Sequence, residues 1–344
     1  MKLSIKKFLL MLAMALVAVI AFNYKLVGYG IGQARGQLKV LWHARPIAEV
    51  LNDQNFPDSL KSTLKMVEKI KAYAVDSLHL KPNNNYTKVF DQQGKEILWV
   101  VTACDPYKFE PVMYSFPIIG SFTYKGFFDY NKAVDLAKTQ KNKGHDVHLR
   151  SVSGWSTLGW FNDPILSNML NSGPGELANT IIHELTHGTI FIPDCMTFNE
   201  NLATFIGNRG ALEYLKTEFG VASDEYQKYK SRKSDSRKFT SHIVAGAKEL
   251  ERLYKVVENE PDSIKLIEKT MFIEKIANEL DTISFSNAAF YHGYFDKYKP
   301  NNAYFISFLN YRERQDDFNI LFEDSLNSDL SLFINYWKAN YEKD

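Results

Sequence analysis

Two short motifs, one helical hairpin apart, constrain this chain more than any other feature of its sequence. His183 and His187 belong to a His-Glu-Leu-Thr-His motif, and Glu200 stands in the Asn-Glu-Asn-Leu-Ala segment that follows. Residues four apart on a helix project from one face, about 6 Å apart, so these two imidazoles can share one metal ion. Apolar spacing predicts a helix at the first motif. A break at Pro193 and a second helix over residues 198–219 would return Glu200 to the histidines.

The residue types of this constellation are those of a zinc site. Catalytic zinc takes three protein ligands and leaves one position open, and two histidines with one glutamate are an established set. We therefore predict one Zn²⁺ per chain, held by His183, His187 and Glu200. Glu184 directly follows the first histidine, so we expect it at the rim of the same face as a general base, not a ligand. Cys195 lies between the two helices and is the alternative ligand, in a poorer context than Glu200.

Charge and length set broad limits on the protein. The 344 residues include 41 basic and 40 acidic residues, so no global field favours nucleic acid, and we expect no nucleic-acid partner. The basic run at residues 228–238 is typical of a solvated loop or helix end. Without a leader, about 310 to 320 residues remain, enough for one large domain or two closely packed ones.

The N-terminus has the pattern of a targeting segment. Three lysines (Lys2, Lys6 and Lys7) precede an uncharged run over residues 8–22. This run fits a signal-peptide core and is slightly short for a spanning helix, which needs about 20 residues. Residues 26–31 are largely apolar again, so we predict that residues 1–30 form an uncleaved membrane anchor that exports the rest of the chain. The alternative is secretion after cleavage.

The rest of the chain predicts an α+β domain over residues 31–344, mostly helical, with a small sheet beside the metal helix. We expect a helical N-terminal part at 31–95, a part with the sheet and the motif helices at 96–220, and a helical C-terminal part at 221–344. Pro46 should split a helix over residues 33–51, and another should begin after Pro57. Strands are predicted at residues 97–103, 121–128 and 145–155, a helix at 129–143, and a break at 300–302.

Two smaller sets of residues carry weaker signals. His145 and His148 are three apart on a predicted strand, so they face opposite sides and cannot chelate one ion together. Cys104 and Cys195 could pair outside the cytoplasm, but the sequence does not show whether they come within bridging range.

Longer segments of the chain support the motif. They include Gln-x-x-Gly-Gln-Leu at residues 33–38, Phe-Pro-x-x-Gly at 116–120, Ser-Thr-Leu-Gly-Trp-Phe-x-Asp-Pro at 156–164, Phe-Asn-Glu-x-x-Ala-Thr-Phe at 198–205, and Asn-Asn-Ala at 301–303. With these segments the chain resembles, from about residue 28 to 321, the predicted bacterial aminopeptidase family of the gluzincin type. The resemblance implies a zincin-like fold and an extracytoplasmic zinc metallopeptidase that acts on peptides or proteins. It also implies that His183, His187 and Glu200 are the ligands and Glu184 the base.

The chain departs from related enzymes in two ways. Members of the family often carry a lipidated cysteine after the signal, and none stands here. The chain also lacks the Gly-x-Met-Glu-Asn segment with which better-known zinc aminopeptidases hold the substrate's amino group, so aminopeptidase specificity follows from the family resemblance alone. A zinc endopeptidase with the same site and a non-catalytic metal-binding scaffold stay open as alternatives. Glu184 disfavours the scaffold, because metal binding alone has no need of it.

The segment before the metal helix is the candidate substrate rim. In zinc peptidases an extended substrate can add itself to an exposed sheet edge. We therefore expect residues 145–156 to form the upper rim of the cleft, with Trp155 or Trp160 lining a side-chain pocket. Tyr311, in an aromatic-rich C-terminal segment, could donate a hydrogen bond to a tetrahedral oxyanion.

Overall fold

A computed structural model describes the greater part of the chain, namely residues 7, 14, 21–116, 120–152, 162–193, 195–309 and 315–341. The described chain is mostly helical with small sheets, as expected of the α+β class. Its helices are α1 (Tyr24–His43), α2 (Ile47–Asn52), α3 (Asp58–Asp76), α4 (Tyr130–Asn142), α5 (Pro174–Thr189), α6 (Met196–Phe219), α7 (Asp224–Val256), α8 (Asp262–Leu280), α9 (Ala288–Tyr291), α10 (Tyr294–Lys297), α11 (Asn302–Leu309), α12 (Gln315–Ile320) and α13 (Leu330–Tyr341).

The strands are short and form three sheets in the described part of the chain. They are β1 (Arg45–Pro46), β2 (Lys88–Phe90), β3 (Trp99–Cys104), β4 (Tyr114–Phe116), β5 (Gly120–Phe122), β6 (Tyr124–Phe127), β7 (Asp146–Ser151) and β8 (Ile165–Leu166). One sheet has the order β1-β2-β8, a second the order β6-β3-β7, and β4 pairs with β5. Strand β3 pairs antiparallel with both neighbours, so β7 lies at an edge of its sheet.

Local signals place many of the element boundaries. Pro46 separates α1 from α2, as predicted, because proline cannot donate the backbone hydrogen bond that a continuous helix needs. The helix after Pro57 buries Leu64, Val67 and Ile70 on one face, as its apolar spacing predicts. Asp129 caps α4 by accepting hydrogen bonds from two backbone N–H groups of its first turn. The break predicted at residues 300–302 is confirmed by the start of α11 at Asn302.

The sheets differ from the single small sheet that was expected beside the metal helix. The β6-β3-β7 sheet packs on α4 and has its own core, which includes Val101, Ala133 and Val147. The sheet that shares a core with α5 is β1-β2-β8, whose Val89 and Ile165 belong to the largest apolar cluster. The strand predicted over residues 121–128 is also divided, at Thr123, into β5 and β6. Helices α3 and α6 pack directly on α5, whereas the β6-β3-β7 sheet packs on α4.

Polar contacts tie helices α8 and α11 to the β6-β3-β7 sheet. The Asp146 carboxylate at the start of β7 accepts hydrogen bonds from Lys269 Nζ at 2.5 Å and from the Asn302 backbone N–H at 2.8 Å. Asn302 is fully buried, and its side chain donates to the Asp105 carbonyl and accepts from the Tyr254 hydroxyl. These bonds set where α8 and α11 lie on the sheet.

The predicted anchor, residues 1–30, lies for the most part outside the described residues. Among the helices that are described, none has both the length and the apolar character of a transmembrane span. Cys104 is buried and Cys195 is exposed, and both are free thiols.

The Asp146–Lys269 pair generates a stability prediction. Lys269 is buried, so Asp146→Asn should leave an uncompensated charge and lower the free energy of unfolding by roughly 3–5 kcal/mol. The matched control is Glu274→Gln on α8, the helix that carries Lys269. Glu274 pairs with Lys299 in solvent, so its loss should cost about 1 kcal/mol or less. Denaturant titration measures both variants, and equal midpoints would contradict the assigned role of Asp146.

Candidate metal centre

The apolar residues of α5 face the core and leave the first motif on the opposite, half-buried side of the helix. The helix begins after Gly173, which has a φ of 86°, with Pro174 in its first turn, where proline is favoured. Its buried face contains Leu177, Ile181, Ile182 and Leu185. His183, Glu184 and His187 therefore lie on the half-buried side of the helix. The apolar spacing of the sequence thus decides which way the motif faces.

The turn after α5 is held by the asparagine that precedes Glu200. The Asn199 side chain donates to the Ile192 carbonyl at 2.8 Å and accepts from the Ile192 N–H at 3.0 Å. Asn199 is buried, so these two bonds are shielded from water. On the other side of Glu200, the Asn201 carbonyl accepts a hydrogen bond from Gln315 at 2.8 Å. Glu200 is thereby positioned between two backbone anchors.

Helices α5 and α6 approach each other closely at Gly207. A Cβ atom at this position would lie 2.9 Å from the Asn179 carbonyl oxygen and 3.2 Å from the Cβ atom of His183. Any side chain larger than hydrogen would therefore push the helix that carries Glu200 away from the helix that carries the histidines. Asn179 also donates to Asn208 Oδ1 at 2.6 Å, which adds a polar contact across the same interface.

The three candidate ligands converge in the folded chain. His183 Nε2 and His187 Nε2 are 3.1 Å apart, and each is 3.5 Å from an oxygen of Glu200. For a tetrahedral ion with bonds of about 2.0–2.1 Å, ligand atoms are separated by about 3.3–3.4 Å. Two imidazole nitrogens and one carboxylate oxygen at these spacings fit a zinc ion. Within the described residues, this is the one group of at least three His, Cys, Asp or Glu side chains placed to hold a metal.

The electrostatics of Glu200 agree with a ligand role. Burial by itself would raise the pKa of this carboxyl group, but hydrogen bonds and charge from His183 and His187 hold the pKa well below its usual range. Glu200 is therefore ionised at neutral pH, which is the form that binds a metal.

The charge of Glu184, the predicted base, acts on the buried side chain of Tyr86. Its backbone N–H donates to the Asp163 carbonyl at 2.8 Å, and its φ of 61° is uncommon for a residue with a side chain. Burial, followed by the charges of Glu184 and Asp163, raises the pKa of Tyr86 well above its usual value. A protonated phenol therefore stands near Glu184 at neutral pH.

The structure brings together His183, His187 and Glu200 and places Glu184 on the same half-buried side of α5. Cys195, the alternative ligand, is exposed and does not belong to the cluster. Trp155, Trp160 and Tyr311 lie outside the described residues. Strand β7 lies at a sheet edge, but its sheet packs on α4 and residues 153–156 lie outside the described residues, so the substrate rim stays a prediction.

Two contributions were missed by the sequence reasoning. Asn199 belongs to the recognised motif, and its position next to Glu200 is a local sequence signal. Its bonds to Ile192, however, depend on the conformation of the turn between α5 and α6. Tyr86 stands far from the motif in the chain, in a loop after Asn83, and no local pattern links it to Glu184.

The close approach at Gly207 generates a prediction about metal affinity. Gly207→Ala should separate α5 from α6 and weaken zinc binding by about tenfold or more, because the ligands come from both helices. Gly30→Ala on α1 is the control, since a Cβ atom there meets nothing within 4 Å. Competition with a chromophoric chelator measures both affinities. Equal affinities would mean that the centre tolerates a wider helix separation.

Comparison with known proteins gives a family for the chain. No curated protein and no solved structure matches it significantly. A family model described as "Putative aminopeptidase" matches residues 28–342, which is nearly all of the chain. This match agrees with the aminopeptidase resemblance and indicates a peptidase that hydrolyses peptide bonds. The chain belongs to this aminopeptidase family.

Proposed function

We propose that the protein is a zinc-dependent aminopeptidase of zincin-like fold, with its catalytic domain outside the cytoplasm. The observation that carries the proposal is the convergence of His183, His187 and Glu200 at 3.1 and 3.5 Å, on a helix pair whose sequence also supplies Glu184. Family membership supports peptide hydrolysis as the reaction.

Each residue of the centre has a distinct role in this proposal. His183, His187 and Glu200 would hold one Zn²⁺, which when bound polarises the peptide carbonyl and acidifies a water molecule. The Glu184 carboxylate takes a proton from the attacking water and returns it to the amine that leaves. Burial keeps the Tyr86 phenol neutral, so it places no second negative charge beside the Glu184 carboxylate.

Removing a ligand and removing the base should have different effects. His183→Ala and Glu200→Ala should lower zinc content from about one ion per chain, because each removes one of three ligands. Glu184→Gln should retain zinc and lower turnover by orders of magnitude, because it removes only the proton acceptor. Metal analysis and hydrolysis of a peptide library measure these two effects separately.

The library also tests the aminopeptidase assignment. The wild-type protein should release residues one at a time from free N-termini, and acetylation of the peptides should abolish the cuts. Internal cuts would instead identify an endopeptidase with the same centre. A zinc-loaded protein that cuts none of the peptides would favour a metal-binding scaffold. Equal zinc loss in Glu184→Gln and Glu200→Ala would contradict the separate roles of base and ligand.

The location outside the cytoplasm rests on the N-terminal sequence. Lys2, Lys6 and Lys7 precede the uncharged residues 8–22, which favours an N-terminus inside and a catalytic domain outside. Reporter fusions after residue 40 should therefore be active only in the exported compartment. Mass spectrometry of the native protein should detect residues before Phe22 if the anchor is uncleaved. A mature N-terminus near Asn23 would replace the anchor by a cleaved signal.

A further inference from the structure

A cavity lies where strand β7 meets helices α7, α10 and α11. Its volume is about 600 Å³, within the range of about 300–1,000 Å³ that small-ligand sites occupy. Helices α7, α10 and α11 contribute aromatic rings to its wall, among them Phe239, Tyr294 and Phe308. Strand β7 contributes His148 and Arg150. The cavity is therefore suited in size and surface to an aromatic group.

His148 is a buried polar group with an unused hydrogen-bonding atom. The residue is 9% exposed, and its Nδ1 atom has no partner among the described residues. The rings of Tyr298 and Tyr304 lie 5.5 and 5.3 Å from the imidazole, centroid to centroid. Burial, followed by the charge of Arg150, lowers the pKa of His148 to about 4, so the ring is neutral at pH 7. Because Nδ1 is itself inaccessible to solvent, His148 contributes its neutral aromatic ring, and not this nitrogen, to the cavity wall.

Arg150 gives the mouth of the cavity a positive charge. It is exposed, forms no ion pair within the described residues, and shares the cavity wall with no acidic side chain. Because His148 is neutral, Arg150 is the cation that a ligand would meet. An arginine binds a carboxylate through charge-assisted hydrogen bonds, so this mouth complements an anion.

The outer edge of β7 is partly covered, so a ligand backbone can pair only with the part of the strand beyond Val147. The Val152 N–H donates to the Leu98 carbonyl, toward the interior of the sheet, whereas the Val147 carbonyl accepts from Asn301 on the outer side. Because the direction of backbone groups alternates along a strand, the N–H and C=O of Leu149 face the same outer side as those of Val147. A peptide that pairs there would lie beside the cavity that His148 and Arg150 line.

A short length of chain connects the cavity with the metal centre. Phe308 lines the cavity, and Gln315 donates a hydrogen bond to Asn201, the residue after Glu200. Seven residues span at most about 25 Å even when fully extended. One extended peptide can therefore be long enough to contact both places.

We propose that this cavity is a peptide-binding subsite that takes an aromatic side chain, while Arg150 binds a carboxylate of the same peptide. The carboxylate belongs either to the C-terminus of the peptide or to a neighbouring Asp or Glu side chain. That the bound peptide is a substrate rests on the proposed function, whereas the binding itself does not. The test therefore measures binding without turnover.

The experiment uses the full chain with Glu184→Gln, so that no probe is cleaved, and isothermal titration calorimetry. The probes are N-acetyl-Ala-Ala-Phe with a free C-terminus, its C-terminal amide, N-acetyl-Ala-Ala-Ala with a free C-terminus, and N-acetyl-Ala-Asp-Phe amide. The first probe should bind about tenfold or more tightly than its alanine analogue and its amide. If the aspartate probe regains the affinity that the amide lost, a side-chain carboxylate serves as well. If it does not, the C-terminus is the group recognised.

Substitution of Arg150 supplies the decisive comparison. Arg150→Gln should weaken the first probe by about tenfold and leave the amide nearly unchanged, so that the two probes become equal. Arg252→Gln is the matched control, because Arg252 is also exposed and lies on α7 away from the cavity lining. The proposal is overturned if both variants bind the first probe equally, or if the phenylalanine and alanine probes have the same affinity in the parent chain.

The same experiment separates this proposal from the function. If the protein cuts no library peptide but its binding of the first probe depends on Arg150, the proposed subsite is supported and the proposed peptidase function is rejected. If the protein cuts peptides in a zinc-dependent way but binds the first probe equally well with and without Arg150, the proposed peptidase function is supported and the proposed subsite is rejected.

Discussion

The candidate centre depends on the close antiparallel packing of α5 and α6. Two donors come from one helix and the third from the other, so the separation of the helices directly sets the distance from Glu200 to the histidines. Gly207 permits the approach because it has no side chain to oppose the Asn179 carbonyl. Asn199 holds the connecting turn through Ile192. A protein interior is close-packed, so a small change at either position is transmitted to the donor spacing.

Two half-buried carboxylates in the described part of the chain each have several partners that compensate for the loss of water. Glu200 faces two imidazoles, and Asp146 faces both Lys269 and a backbone N–H. Burial of an unpaired charge would be costly, and each partner reduces that cost. The first arrangement forms the candidate metal centre, whereas the second joins α8 and α11 to the β6-β3-β7 sheet. The same kind of interaction thus brings together the candidate ligands in one place and joins helices to a sheet in the other.

The C-terminal part of the chain connects the two regions of functional interest. Helix α11 packs on the sheet and lines the aromatic cavity, and Gln315 at the start of α12 contacts the backbone beside Glu200. A peptide held at the β7 edge would therefore be bound by elements that also contact the metal helices. The proposed subsite would let the proposed peptidase select substrates by a side chain distant from the cleaved bond.

The sequence by itself determined the local features: the helix around the histidines and the face on which they lie, the second helix with Glu200, the helix boundary at Pro46 and the α+β class. Each follows from periodicity, spacing or a single restricted residue, which act over a few positions. The tertiary structure alone decided that β1-β2-β8 shares the core of α5, that Tyr86 stands near Glu184, and that His148 and Arg150 line a cavity with the C-terminal helices. These relations join residues distant in the chain, and they depend on how complete helices and sheets pack together. No local pattern encodes that packing.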